Sequence, residues 1–133
     1  MNEPVDFLLD THVFLWWTVS SPRLHKDVAA AIHSCTGRIS VSAVSVLELT
    51  MKRRLKKLDF PGSPHAAISE NGFFEASVLA EDAELAGNLV WDHRDPFDRL
   101  LVAQAIRLRA TLVTADAVLH ETGVHSAALM WAS

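Results

Sequence analysis

One cysteine, no apolar run of membrane-spanning length, no lysine beyond Lys57 and no lysine or arginine between residues 58 and 93 set the first limits. A lone Cys35 excludes an internal disulfide and a CxxC metal or redox pair, and fits a reducing compartment. No stretch without a formal charge exceeds 12 residues, as at 11–22, so no segment is long enough to span a bilayer. No basic residue precedes Arg23, which argues against a secretory leader; the expectation is a cytoplasmic protein without membrane contact. Repeats, low-complexity tracts and linkers are also missing. With 133 residues, half of them hydrophobic, the chain is expected to be one domain over 1–133 with a sizeable core.

What is present is unevenly charged. The net charge is −4, yet the run KRRLKK at 52–57 holds five of the 12 basic residues, and seven acids follow it in 58–93. Such a run is either the solvated face of a helix or a phosphate contact.

Apolar runs alternate with helical patterns. VDFLL (5–9) is of strand length and is followed by Asp10-Thr11 and a packed helix, HVFLWWTV. RISVSA (38–43) alternates and is β-branched, and a helix is expected from Val44 to Leu58, where DFPGSP breaks it. FFEASV (73–78) reads as a strand, 80–90 and Pro96–Arg109 as helices, TLVT (111–114) as a buried strand and SAALMW (126–131) as the strand that closes the sheet. This order predicts an α/β domain around a mainly parallel sheet. Ligands of such sheets bind beyond the carboxyl ends of the strands, the edge to which Asp10 and Asp116 both belong.

Two further acids stand where apolar residues are expected. At about 100° per residue, Val44, Leu47, Met51, Leu55 and Leu58 share an arc of roughly 80°, with Glu48 at its margin. Asp98 shares its face with Leu101, Val102, Ala105, Ile106 and Leu108. An ionised carboxylate turned toward a core costs several kcal/mol unless it is protonated, paired or bound to metal. Helix capping is the competing explanation: Ser45-x-x-Glu48 and Asp95-Pro96-x-Asp98 both match helix starts, and Asp10 and Asp116 match turn residues after strands. Taken together, Asp10, Glu48, Asp98 and Asp116 form an oxygen-only cluster with no clear lysine or arginine among them. Such a donor set suits Mg²⁺ or Mn²⁺, and a dication there would polarise a phosphodiester and activate water.

Other motifs carry less. HRD at 93–95 matches a kinase catalytic loop by chance, since Leu100 stands where asparagine is required and no Gly-rich loop is present. A response-regulator receiver or a haloacid-dehalogenase-type phosphatase needs a late lysine. His12 and His93 are the histidines nearest the acids, but no HxxxH pair or His/Cys set calls for zinc. Trp16 and Trp17 are adjacent and cannot share one helix face, so one is expected in the core and the other on a partner surface.

With Asp10 in LLDTHVFLWW, Glu48 in SAVSVLEL, Asp98 in HRDPFDRLLVAQA and Asp116 in TLVTAD, nearly the whole chain resembles the PIN-domain family, specifically VapC-type toxins of bacterial toxin-antitoxin pairs. The resemblance implies a three-layer α/β/α sandwich and a ribonuclease. Asp10 and Asp98 would be the main ligands of Mg²⁺ or Mn²⁺, and Glu48 and Asp116 would complete the pocket. Asp95 would be a helix cap. Thr11 and Thr114 would be hydrogen-bonding neighbours, and Arg53, Lys56 and Lys57 would contact the RNA backbone. The resemblance also implies a homodimer silenced by a VapB-like antitoxin, for which the Trp16/Trp17 region is the expected groove. A catalytically silent PIN-like module that only binds a partner is the alternative.

Overall fold

The computed structural model describes residues 4–116 and the backbone of 128–131. Five strands, β1 (Phe7–Leu9), β2 (Ile39–Ser42), β3 (Phe74–Ala76), β4 (Thr111–Thr114) and β5 (Ala128–Trp131), form one sheet in the order β3-β2-β1-β4-β5, with every pairing parallel. Six helices connect and cover them: α1 (Thr11–Thr18), α2 (Lys26–His33), α3 (Ala43–Arg54), α4 (Pro64–Glu70), α5 (Ala80–Asn88) and α6 (Pro96–Leu108). No described helix is long and apolar enough to cross a membrane.

Successive strand side chains point to opposite faces, so the two cores can be read from three residues of β1. Phe7 and Leu9 join Val13, Phe14, Val28, Ile32 and Ile68 from α1, α2 and α4 on one face. Leu8 joins Leu101, Val102 and Ala105 of α6 on the other. The result is the three-layer α/β/α sandwich expected from the sequence. Leu8, Leu9, Val41, Leu112 and Val113 are fully buried, as central parallel strands covered on both faces require. Gly37 guards the start of β2: a Cβ there would lie 2.3 Å from the Val5 carbonyl oxygen, so only glycine lets these two segments approach.

The chain builds outward from β1 through β2 to β3, then returns to the other side of β1 as β4. The strand order therefore reverses between β1 and β4. A crevice opens at their carboxyl ends, where open α/β sheets bind ligands.

Two expectations, both about α3, need correction. Helix α3 runs over Ala43–Arg54, not Val44–Leu58: Ser42 caps its start by accepting from Val44 N–H, and Leu55 ends it before Lys56 adopts a left-handed conformation (φ 58°). Its core face is also different. Val44, Ser45, Glu48 and Leu49 are buried, while Leu47, Met51 and Leu55 are about half exposed. Helix α2 was not anticipated, because 26–33 is short and carries only Val28 and Ile32 into the core. Of the predicted strand 126–131, residues 128–131 form β5, while 126 and 127 lie outside the described residues.

Candidate functional site

Asp10 leaves β1 directly into the crevice. Its Oδ1 accepts from Val13 N–H at 2.9 Å and so caps α1, while Oδ2 accepts from the Thr114 hydroxyl at the end of β4. Capping and placement in the site are thus one arrangement, not rival explanations. The residue is 6% exposed, and among the described residues no lysine or arginine forms an ion pair with it. Burial pushes its pKa above the ordinary aspartate value, against the lowering effect of the Thr114 and Val13 hydrogen bonds.

Glu48 lies in the second turn of α3, so the capping reading of Ser45-x-x-Glu48 does not hold. Instead the Thr11 hydroxyl lies 3.0 Å from Ser45 Oγ and donates to Glu48 Oε1 at 2.6 Å. The other oxygen, Oε2, accepts from Lys52 Nζ at 2.7 Å. A lysine does therefore reach the acidic cluster, contrary to expectation. Its i,i+4 spacing from Glu48 was the available signal.

Asp98 follows the helix start that its sequence specifies: Asp95 caps α6 by accepting from Phe97 N–H at 2.8 Å and Asp98 N–H at 3.3 Å, with Pro96 at the first helical position. Its Oδ2 lies 2.6 Å from His93 Nε2. Burial is the main cause raising the Asp98 pKa from 3.8 to about 6; the His93 hydrogen bond opposes it, and the charges of Asp95 and Asp116 add to it. Asp116 follows β4, its N–H donating to Thr114 Oγ1 at 3.0 Å. Thr114 thus bridges the loop that carries Asp116 to the carboxylate of Asp10.

All four acids line one cleft of about 390 Å³, together with Thr11, His12, Trp16, Arg23, Lys52, Asp95, Leu101 and Ala115. Arg23 and Lys52 are cations that sequence reasoning did not place here. Arg53 does not line the cleft: its guanidinium binds the carbonyls of Phe60 (3.1 Å) and Gly62 (2.5 Å) and so fastens the loop after α3. Lys56 and Lys57 are exposed beyond the end of that helix and are not in the cleft wall either.

The donor set fits a hard dication. Four carboxylates offer oxygen donors to the cleft, no lysine or arginine among the described residues forms an ion pair with Asp10, and burial disfavours the negative charge of both Asp10 and Asp98. Among the described residues, the group whose donor atoms already lie within 4.8 Å of one another is His93, Asp95 and Asp98, which includes one of the four acids, and His93 stands outside the cleft lining. Next to this cleft is a second one of about 530 Å³, lined by Trp16, Trp17, Leu24, Ala29 and Asn71 among others. Both tryptophans are half-buried. Trp17 packs on Phe73 at a ring separation of 5.9 Å, and Trp16 lines both clefts.

In comparisons with known proteins, none of the curated sequences matches. Solved structures do. A chain of the VapBC2 complex from Rickettsia felis, bound to a DNA fragment of its promoter, superposes with a TM-score of 0.67 at 15% identity, covering 97% of this chain and 100% of that one. VapBC-1 from nontypeable Haemophilus influenzae gives 0.69 at 14%, covering 96% and 98%. A toxin-antitoxin complex from Klebsiella pneumoniae gives 0.63 at 16%, covering 90% and 93%. At such identities the likeness is one of fold. The PIN domain family model, however, matches residues 7–124 in sequence, and the chain belongs to the PIN domain family.

Proposed function

We propose that this protein is a metal-dependent endoribonuclease of the VapC toxin type that hydrolyses RNA phosphodiester bonds and is neutralised by a VapB-like antitoxin. One observation carries the reading: Asp10, Glu48, Asp98 and Asp116 come from four separate segments and line a single cleft at the point where the strand order reverses. Family membership and structural neighbours drawn from VapBC toxin-antitoxin complexes support it.

Asp10 and Asp98 would be the principal ligands of Mg²⁺ or Mn²⁺, with Glu48 and Asp116 completing the site. A dication bound there supplies charge neutralisation at the phosphate and a water of lowered pKa. The chain's own contribution is orientation. Thr114 and Val13 N–H fix both oxygens of Asp10, Thr11 fixes Glu48, and His93 fixes Asp98, so the carboxylates need little reorganisation when substrate arrives. Lys52 and Arg23 offset the negative potential that would otherwise repel RNA at the cleft wall. Lys56 and Lys57 would contact the RNA backbone outside the cleft, where Arg53, bound to the Phe60 and Gly62 carbonyls, adds its charge.

The cleft beside Trp16 and Trp17 is the proposed seat of the antitoxin segment, since Trp16 carries it to the edge of the acidic site. Residues 1–133 are read as a single PIN domain, working in the cytoplasm as a homodimer.

Purified, antitoxin-free protein incubated with a pool of structured RNAs tests the proposal. Cleavage should require Mg²⁺ or Mn²⁺, stop in EDTA and be lost in Asp98→Asn. Absence of cleavage under either metal by folded protein would favour the silent binding module.

A further inference from the structure

We propose that Arg99 is a positioning residue of the acidic cleft, acting through the backbone of residues 86–93 to hold His93 against Asp98. Its side chain donates only to carbonyls: Nε to Ala86 (2.8 Å), Nη1 to Trp91 (2.7 Å) and His93 (2.9 Å), and Nη2 to Gly87 (3.3 Å) and Leu89 (2.8 Å). A guanidinium has five N–H groups, and these bonds use all of them.

Closing the end of a helix accounts for only part of this set. Ala86 and Gly87 belong to the last turn of α5, whose carbonyls lack partners within the helix and lie at the negative end of its dipole. The bonds to Trp91 and His93 lie beyond any helix cap. They fall in a stretch, 89–95, with no helix or strand of its own, and they end on the residue whose imidazole meets Asp98. The side chains of the two tethered residues also pack together: the Trp91 and His93 rings are 4.8 Å apart, and the Arg99 guanidinium lies 5.9 Å from the Trp91 ring.

Asp98 and Arg99 are consecutive in α6, so one turn of helix sets the carboxylate and the anchor of its imidazole partner in fixed relation. With His93 Nε2 bound to Oδ2, the carboxylate cannot rotate freely, and its other oxygen is presented in one orientation. Lysine keeps the charge near the end of α5 but has one nitrogen, and it cannot span five carbonyls.

The consequence for metal binding rests on the function proposed above; the positioning itself does not. The test uses the full chain with ¹⁵N-labelled histidine, free of metal, and His93→Gln identifies the His93 signal among the seven histidines. In the wild type the His93 imidazole N–H should be shifted downfield and slow to exchange. In Arg99→Lys, and in Arg99→Gln as a second variant, that signature should be lost while the protein stays folded. Calorimetric titration with Mn²⁺ should then show about tenfold weaker binding for Arg99→Lys and for His93→Gln. The double variant should be no weaker than either single one. An unchanged imidazole signal in folded Arg99 variants, or additive losses near a hundredfold in the double variant, would overturn the proposal. If the wild type binds no Mn²⁺, the metal reading fails, and the imidazole signal alone decides the role of Arg99.

Discussion

Asp82 and Asp10 are both buried aspartates at helix starts, and the protein treats them differently. Asp82 is completely buried, yet its oxygens take two hydrogen bonds from Arg107, at 2.5 and 3.0 Å, and one from Leu79 N–H at 2.8 Å. Its charge is matched in place, and the pair ties α5 to α6. Asp10 has a hydroxyl and a backbone N–H but, among the described residues, no guanidinium or ammonium, and burial disfavours its charged form. Asp98 follows the same pattern, with an imidazole in place of a fixed cation. A buried acid whose countercharge is built in holds helices together. One whose countercharge must come from outside is equipped to bind a cation.

Substitutions should separate the two kinds. The largest effect expected is on cleavage: Asp98→Asn should reduce the RNA cleavage rate by at least about a hundredfold, since loss even of a ligand's supporting partner costs 10- to 100-fold. Arg107→Ala should leave the rate per folded molecule near the wild-type value in the same assay. Stability should show the reverse. Arg107→Ala strands the Asp82 carboxylate and should cost roughly 2–4 kcal/mol in urea unfolding, discounted from a fully buried pair because the guanidinium is partly exposed.

Asp98→Asn, by contrast, should stabilise the metal-free protein. The folded pKa of about 6 lies above the ordinary 3.8, so the folded state holds the proton more tightly. That contribution is complete below pH 3.8 and is lost as pH rises through 6. The variant should therefore gain on the order of 2–3 kcal/mol at pH 7.5 and nothing near pH 3.5, as unfolding at both pH values would reveal. The smallest effect concerns Glu48, whose countercharge is partly built in. Lys52→Met should tighten Mn²⁺ binding by up to about fivefold, the usual range for a partly exposed ion pair, in calorimetric titration.

The cleft side of this contrast was legible in the sequence, for identifiable reasons, whereas the Asp82–Arg107 pair was not read there. Asp98 shares its helical face with Leu101, Val102 and Ala105, all buried, and Asp95-Pro96 fixes where that helix begins, so the inward carboxylate could be read from spacing alone. Asp10 and Asp116 followed from strand ends. The face of α3 could not be read in the same way, because hydrophobicity misleads there. The helix turns Ser45 and Glu48 inward to meet Thr11 and leaves Leu47, Met51 and Leu55 half exposed. A helix that borders a polar site buries polar residues, and a search for the apolar arc selects the wrong side. The basic run divided for a similar reason: Lys52 lies one turn from Glu48, whereas Arg53 is used on the carbonyls of Phe60 and Gly62. His93 and Arg99 have no periodic signature, since one crosses from a loop to a helix and the other binds only backbone oxygens.

The most direct measurement is the thermal unfolding of the antitoxin-free protein at pH 8 with and without Mn²⁺, in the wild type and in Asp10→Asn. A buried carboxylate with no lysine or arginine paired to it among the described residues should make the wild type gain stability with Mn²⁺ concentration, as any ligand of the folded state alone must. Asp10→Asn should start more stable without metal and lose most of that gain. No shift in the wild type, or an equal shift in both proteins, would contradict the assignment of this cleft as a dication site.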